Sequence, residues 1–154
     1  MKKPTPSTQR DLGEAIALLR SNPRACFTRL ARLRRQAVRQ GNANDAIGLL
    51  ALMIRAARAS KDRSLALRLS QRLVREDPAR ASWWSTLALV EYEIAFAQYR
   101  GASRNAERYF KRAAKHYARA AEIEEVNGEK TEVARFREFE ASALERAKAA
   151  AQTE

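Results

Sequence analysis

Along this chain the apolar residues recur at intervals of three and four, in seven runs separated by short polar breaks. That spacing lays a stripe down one face of an α-helix, whereas a half-buried strand would alternate. The first run, about Thr8 to Arg20, aligns Leu12, Ala15, Ile16 and Leu19. Asn22 is placed as an N-cap, and Pro23 suits the first turn of a second helix over about Arg24 to Arg39. Cys26, Leu30, Leu33 and Ala37 form its inward stripe, and Gly41 ends it. The third run, about Ala43 to Ala59, is apolar nearly all round and predicts a helix with neighbours on several sides.

A "SKD" break leads to the fourth run, about Asp62 to Glu76, with Leu65, Ala66, Leu69 and Leu73 inward, and Pro78 forces the next break. The fifth, about Ser82 to Tyr99, contains both tryptophans of the chain. Ser103 is placed to cap the sixth, about Arg104 to Val126, and Asn127-Gly128 stops it. The seventh, about Thr131 to Ala150, is expected to bury Val133, Phe136, Ala143, Leu144 and Ala147. No period-two segment lies between turn residues, so the fold class is all-α, with about seven helices. Residues 1–7 are expected to be a flexible N-terminus ahead of a single helical domain over residues 8–154.

Within that pattern a repeat is visible. A 34-residue offset lays Leu50, Met53 and Ile54 on Trp84, Leu87 and Ala88. Trp84-x2-Leu87-Ala88 is followed by Ala106-x3-Phe110-x2-Ala113, and Ala66 and Pro78 stand in the copy before. These residues resemble the tetratricopeptide repeat, with alanine for its small glycine, in two copies over roughly residues 47–125. Glu91 stands where the pattern has an aromatic, and Ser70 where it has phenylalanine. The resemblance implies antiparallel α-hairpins stacked in a right-handed superhelix, the seventh helix serving as a cap. It implies that Trp84 fills the core wedge beside Ala88, and leaves Trp83 to face a neighbour or a partner. It further implies a concave groove that holds a peptide or a partner helix, with Arg55, Arg58, Ser85, Leu89 and Tyr92 as groove-facing candidates. The family's carboxylate-holding Lys and Asn set is not matched. An adaptor, an assembly factor or a chaperone fits such a module.

Composition adds a second possibility. The net charge is +12, and residues 1–60 carry twelve Lys/Arg against three Asp/Glu, while residues 61–154 carry eighteen against fifteen. Arginine outnumbers lysine by more than three to one, which suits forked contact with carboxylate or phosphate. On the second helix Arg24, Arg32, Arg35 and Arg39 spread over the side opposite Leu30 and Leu33, with Arg29 at the margin. On the sixth, Arg104, Arg108, Lys111 and Lys115 follow one stripe, widened by Arg112 and Arg119. These faces are solvated, or meet an acidic protein, or contact the phosphates of a nucleic acid. Nothing in them reads bases.

Chemistry is sparse. His116 is the single histidine, so neither a two-histidine metal motif nor a Ser-His-Asp site with a second histidine exists, and it is placed at a surface or an interface. Cys26 is the single cysteine, on an apolar stripe, which excludes an intrachain disulfide and favours a reducing, cytoplasmic setting. There is no Gly-rich phosphate loop, and no metal or other cofactor is expected. Catalysis is not expected. No apolar run reaches a membrane span. Glu91 and Glu140 fall on apolar stripes, either paired with an internal arginine or serving as polar anchors for a ligand. Trp83, Ile94 and Phe96 exceed what a short array covers, so either the N-terminal helices fold over them or a second copy does, and a homodimer is the preferred expectation.

Overall fold

The computed structural model describes residues 6–100 and 105–152, with side chains from residue 9 onward. Arg104 and Ser103, the first basic residue and the expected cap of the sixth helix, lie outside them, as do residues 1–5 of the N-terminal stretch. The described residues form seven helices and no strand: α1 (Pro6–Ser21), α2 (Pro23–Arg39), α3 (Ala43–Ala59), α4 (Arg63–Glu76), α5 (Ala81–Arg100), α6 (Asn105–Asn127) and α7 (Lys130–Ala151).

The breaks have local causes. Asn22 Oδ1 accepts the Ala25 N–H at 3.1 Å and caps α2. Gly41 takes φ 69°, which lets the Asn42 N–H reach back to the Ala37 carbonyl at 2.9 Å. The same left-handed turn after α3 is made by Lys61 at φ 60°, with the Asp62 N–H on the Ala57 carbonyl at 2.9 Å. Asp62 Oδ1 then accepts the Leu65 N–H at 3.0 Å and opens α4.

The chain divides into two compact units, Met1–Glu76 and Asp77–Glu154. In the first, α2 packs between α1 and α3, and α3 packs on α4. Its core joins Ala15 of α1 to Cys26, Leu30, Leu33 and Ala37 of α2 and to Ala46, Leu49, Met53 and Ala56 of α3. Ser70, at a position where the repeat pattern has phenylalanine, is fully buried and satisfies its hydroxyl by donating to the Ala66 carbonyl at 2.8 Å. Arg34 Nη2 bonds both oxygens of Glu76, at 3.0 and 3.2 Å, and so ties the end of α4 to α2.

In the second unit α6 packs against both α5 and α7. Small residues line the contacts: Ala88 of α5, Ala113, Ala114, Ala120 and Ala121 of α6, and Ala143 of α7 are buried in one cluster. Short side chains let helix axes approach closely. Phe110 is fully buried and receives the ring of Tyr92 edge-on at 5.2 Å, with Tyr99 at 6.5 Å. Both indoles hold the start of α5: Trp83 Nε1 donates to Asp77 Oδ2 at 3.0 Å, and Trp84 Nε1 to the Pro78 carbonyl at 2.8 Å.

Several expected core positions differ. Trp84 is partly buried against the alanine cluster, because its N–H must reach a carbonyl at the surface turn. Ile16 is exposed, since Leu12, Leu18 and Leu19 carry the packing of α1 instead. Leu144 is exposed as well: α7 buries a narrow seam of Phe136, Ala143, Ala147 and Ala150, and position 144 falls outside it. Glu140 is half-buried rather than inward and pairs with Arg137 at 2.9 Å. Ile94 is buried, Phe96 is exposed beneath the Arg146 guanidinium at 6.0 Å, and the Trp83 ring lies under Arg80 at 5.1 Å. Of the three apolar residues expected at a dimer contact, Phe96 alone is an exposed large hydrophobe.

Candidate functional site

The outer face of α2 is built by helical periodicity alone. At about 100° per residue, Arg24, Arg32, Arg35 and Arg39 fall within an arc of roughly 80°, almost diametrically opposite the buried stripe of Cys26, Leu30, Leu33 and Ala37. All four are exposed. Arg32, Arg35, Gln36 and Arg39 line an open depression on that face.

Within α2 these four stand apart from Arg29 and Arg34 in having no neutralising carboxylate among the described residues. The two other α2 arginines outside this arc are taken: Arg29 pairs with Glu14 at 3.2 Å, and Arg34 with Glu76. The other carboxylate contacts of the unit are local. Glu14 also meets Arg10 at 3.2 Å, Asp45 bonds Asn42 at the start of α3, and Asp62 caps α4. Among the described residues no carboxylate pairs with Arg24, Arg32, Arg35 or Arg39.

The division of the chain sharpens the charge asymmetry. Residues 1–76 hold seventeen Lys/Arg and five Asp/Glu, and residues 77–154 hold thirteen of each, so the whole excess of twelve lies in the first unit. The α6 stripe sits in the neutral unit. Arg108, Lys111 and Lys115 are exposed as the spacing predicts. Lys111, however, is paired with Glu107, Arg119 with Glu122 at 2.8 Å, and Arg112 turns inward to Glu91. Two like-looking stripes thus differ in how far local glutamates neutralise them.

The five groove candidates belong to different units. Arg55 is exposed and Arg58 half-buried on α3; Ser85, Leu89 and Tyr92 are half-buried on α5. Ser85 Oγ donates to the Ser82 carbonyl at 3.0 Å, and the Tyr92 ring is engaged with Phe110, which leaves neither wholly free for a ligand.

Glu91 is the one charged side chain that is buried among the described residues. Its side chain has 0% exposure; Arg112 Nη2 stands 2.7 Å from Oε1 and His116 Nδ1 2.6 Å from Oε2. The Arg112 approach is an ion pair by distance, but no N–H is directed at Oε1. The His116 ring also lies 5.6 Å from the Trp84 ring. His116, expected at a surface or an interface, is mostly buried between α5 and α6, with 18% of its side chain exposed. The spacing that turns Glu91 inward was legible; its partners, on the next helix, had no local signature. Among the described residues there is no cluster of three or more potential metal ligands. Burial pushes the Cys26 thiol above its ordinary value. For Glu76, burial acts to raise the carboxyl, but the hydrogen bonds and charges of Arg72 and Arg34 outweigh it and hold the group below its usual range.

No family model, no curated protein and no solved structure matches this chain, so the tetratricopeptide resemblance rests on residue spacing.

Proposed function

We propose that the protein is a non-enzymatic binding module of packed α-hairpins that takes an anionic partner on the arginine face of α2. The observation that carries this reading is the set of four exposed guanidiniums on one arc of α2, unpaired among the described residues, in the unit that holds the entire charge excess. Holding like charges together is unfavourable unless water or an anion screens them. Here the first unit's carboxylates neutralise the flanking Arg29 and Arg34, and leave the arc bare. The tetratricopeptide-like spacing supports a scaffold role, and the single histidine and cysteine supply little for catalysis.

Retention on immobilised heparin, a polyanion of neither protein nor nucleic-acid class, tests the reading. Arg32→Glu/Arg35→Glu/Arg39→Glu is expected to elute at much lower salt than a variant of equal charge change on α4, Arg63→Glu/Arg68→Glu/Arg75→Glu. Equal elution of the two variants would show that net charge alone is at work.

A further inference from the structure

We infer that the anion taken by the α2 arc is the phosphate backbone of a nucleic acid, contacted without regard to base sequence. This rests on the reading above and gives it a ligand class. Three features of the arc select phosphate over an acidic protein.

The first is what the arc lacks. Protein interfaces gain their affinity from a central apolar or aromatic anchor surrounded by a polar rim. In and beside the arc lie Ala25, Thr28, Ala31 and Gln36, with Val38 at its edge and Phe27 beyond it packed against the core; among the described residues the depression is lined by Arg32, Arg35, Gln36 and Arg39. Contact there is by charge and hydrogen bond, which is how proteins hold nucleic-acid backbones.

The second is length. From Arg24 to Arg39 is about 22 Å along the helix axis at 1.5 Å per residue. One strand of a duplex places a phosphate about every 3.4 Å of axis, so roughly six lie within that span, and those on the near side of the winding strand are offered to the arc whatever the register. Each guanidinium fork takes a phosphate through two N–H groups.

The third is accessibility. α2 packs between α1 and α3, so its outer arc is presented while the helix itself is held in the bundle. A recognition helix must project to enter a major groove. The arc also carries no aromatic residue on which bases could stack. Phosphate contact without base readout is what remains.

The test measures anisotropy of a labelled random-sequence DNA duplex with the full chain over a range of KCl, with poly-L-glutamate titrated in parallel. With four phosphates neutralised, log K is expected to fall against log salt with a slope of about −3.6, near 10²-fold between 50 and 200 mM. Arg32→Gln/Arg35→Gln/Arg39→Gln, whose fold is checked by circular dichroism, should flatten the slope by about 2.7. Arg108→Gln/Lys115→Gln in the second unit should leave it unchanged. Duplex binding whose slope the α2 variant does not alter overturns the assigned site. Binding of poly-L-glutamate but not of DNA, lost in the same variant, overturns the phosphate inference and leaves the anionic-partner reading standing. Binding of neither polymer ends both.

Discussion

Replacing Arg112 by alanine isolates the energetics of the buried ionic cluster. Glu91 has 0% exposure, and Arg112, 34% exposed along its side chain, stands 2.7 Å from Oε1. Without it the carboxylate keeps a single contact, to His116 Nδ1 at 2.6 Å. Orphaning a buried charge costs about 3–5 kcal/mol, and the surviving histidine contact puts this case at the low end, about 3 kcal/mol. Glu91→Met should behave differently. It removes the charge that needs a partner, and the part-exposed Arg112 turns to water, so its cost is expected below about 1 kcal/mol. Both tryptophans lie in the second unit, so their fluorescence during urea unfolding reports on that unit. With a slope near 1 kcal/mol per molar urea, Arg112→Ala should lower the midpoint by roughly 3 M. In the double variant most of that loss should return, a coupling of about 2 kcal/mol or more. If Arg112→Ala and Glu91→Met cost the same, or if the double variant is simply additive, the pairing does not carry the energy assigned to it.

Other features make their own predictions. Lys61 holds a left-handed turn at φ 60° that glycine adopts without a Cβ penalty; Lys61→Gly should stabilise the first unit by about 0.5–1 kcal/mol, read by circular dichroism in urea. Cys26 is buried with its thiol raised, so a soluble disulfide reagent should modify the native chain far more slowly than the urea-unfolded one; equal rates would contradict its burial. The carboxyl of Glu76 is depressed in the folded state, so its contribution is present above the ordinary value near 4.5 and is lost as pH falls through the folded value. Glu76→Gln should therefore be less stable than the parent at neutral pH and should lose less on acidification. A parallel pH profile would show that the Arg34 and Arg72 contacts do not matter.

Much of the fold was legible because its signals are local. Helix spacing, the Asn22 cap, Gly41 and Pro78 each act within a few residues, and the seven helices follow them. The inward aim of Glu91 was likewise periodic. What the sequence could not show depends on neighbours. Leu144 sits on an apolar stripe yet remains exposed, because nothing in α7 alone tells how wide a seam its partner covers. The α2 and α6 stripes look alike as spacing. The Glu107 that meets Lys111 on α6 is local, whereas the Glu76 that takes Arg34, beside the α2 arc, lies 42 positions away. The uneven charge was legible in composition, and the unit boundary at Glu76 assigns the whole excess of twelve to the first unit.

The indole clasps at the start of α5 each span six residues. A loop that short closes at small entropic cost, so during synthesis this corner can set while α6 is still inside the ribosome. The ionic cluster must wait for Arg112 and His116 to emerge, twenty-one and twenty-five positions after Glu91. Along the C-terminal half the partners of the corner are thus synthesised before those that meet the Glu91 carboxylate.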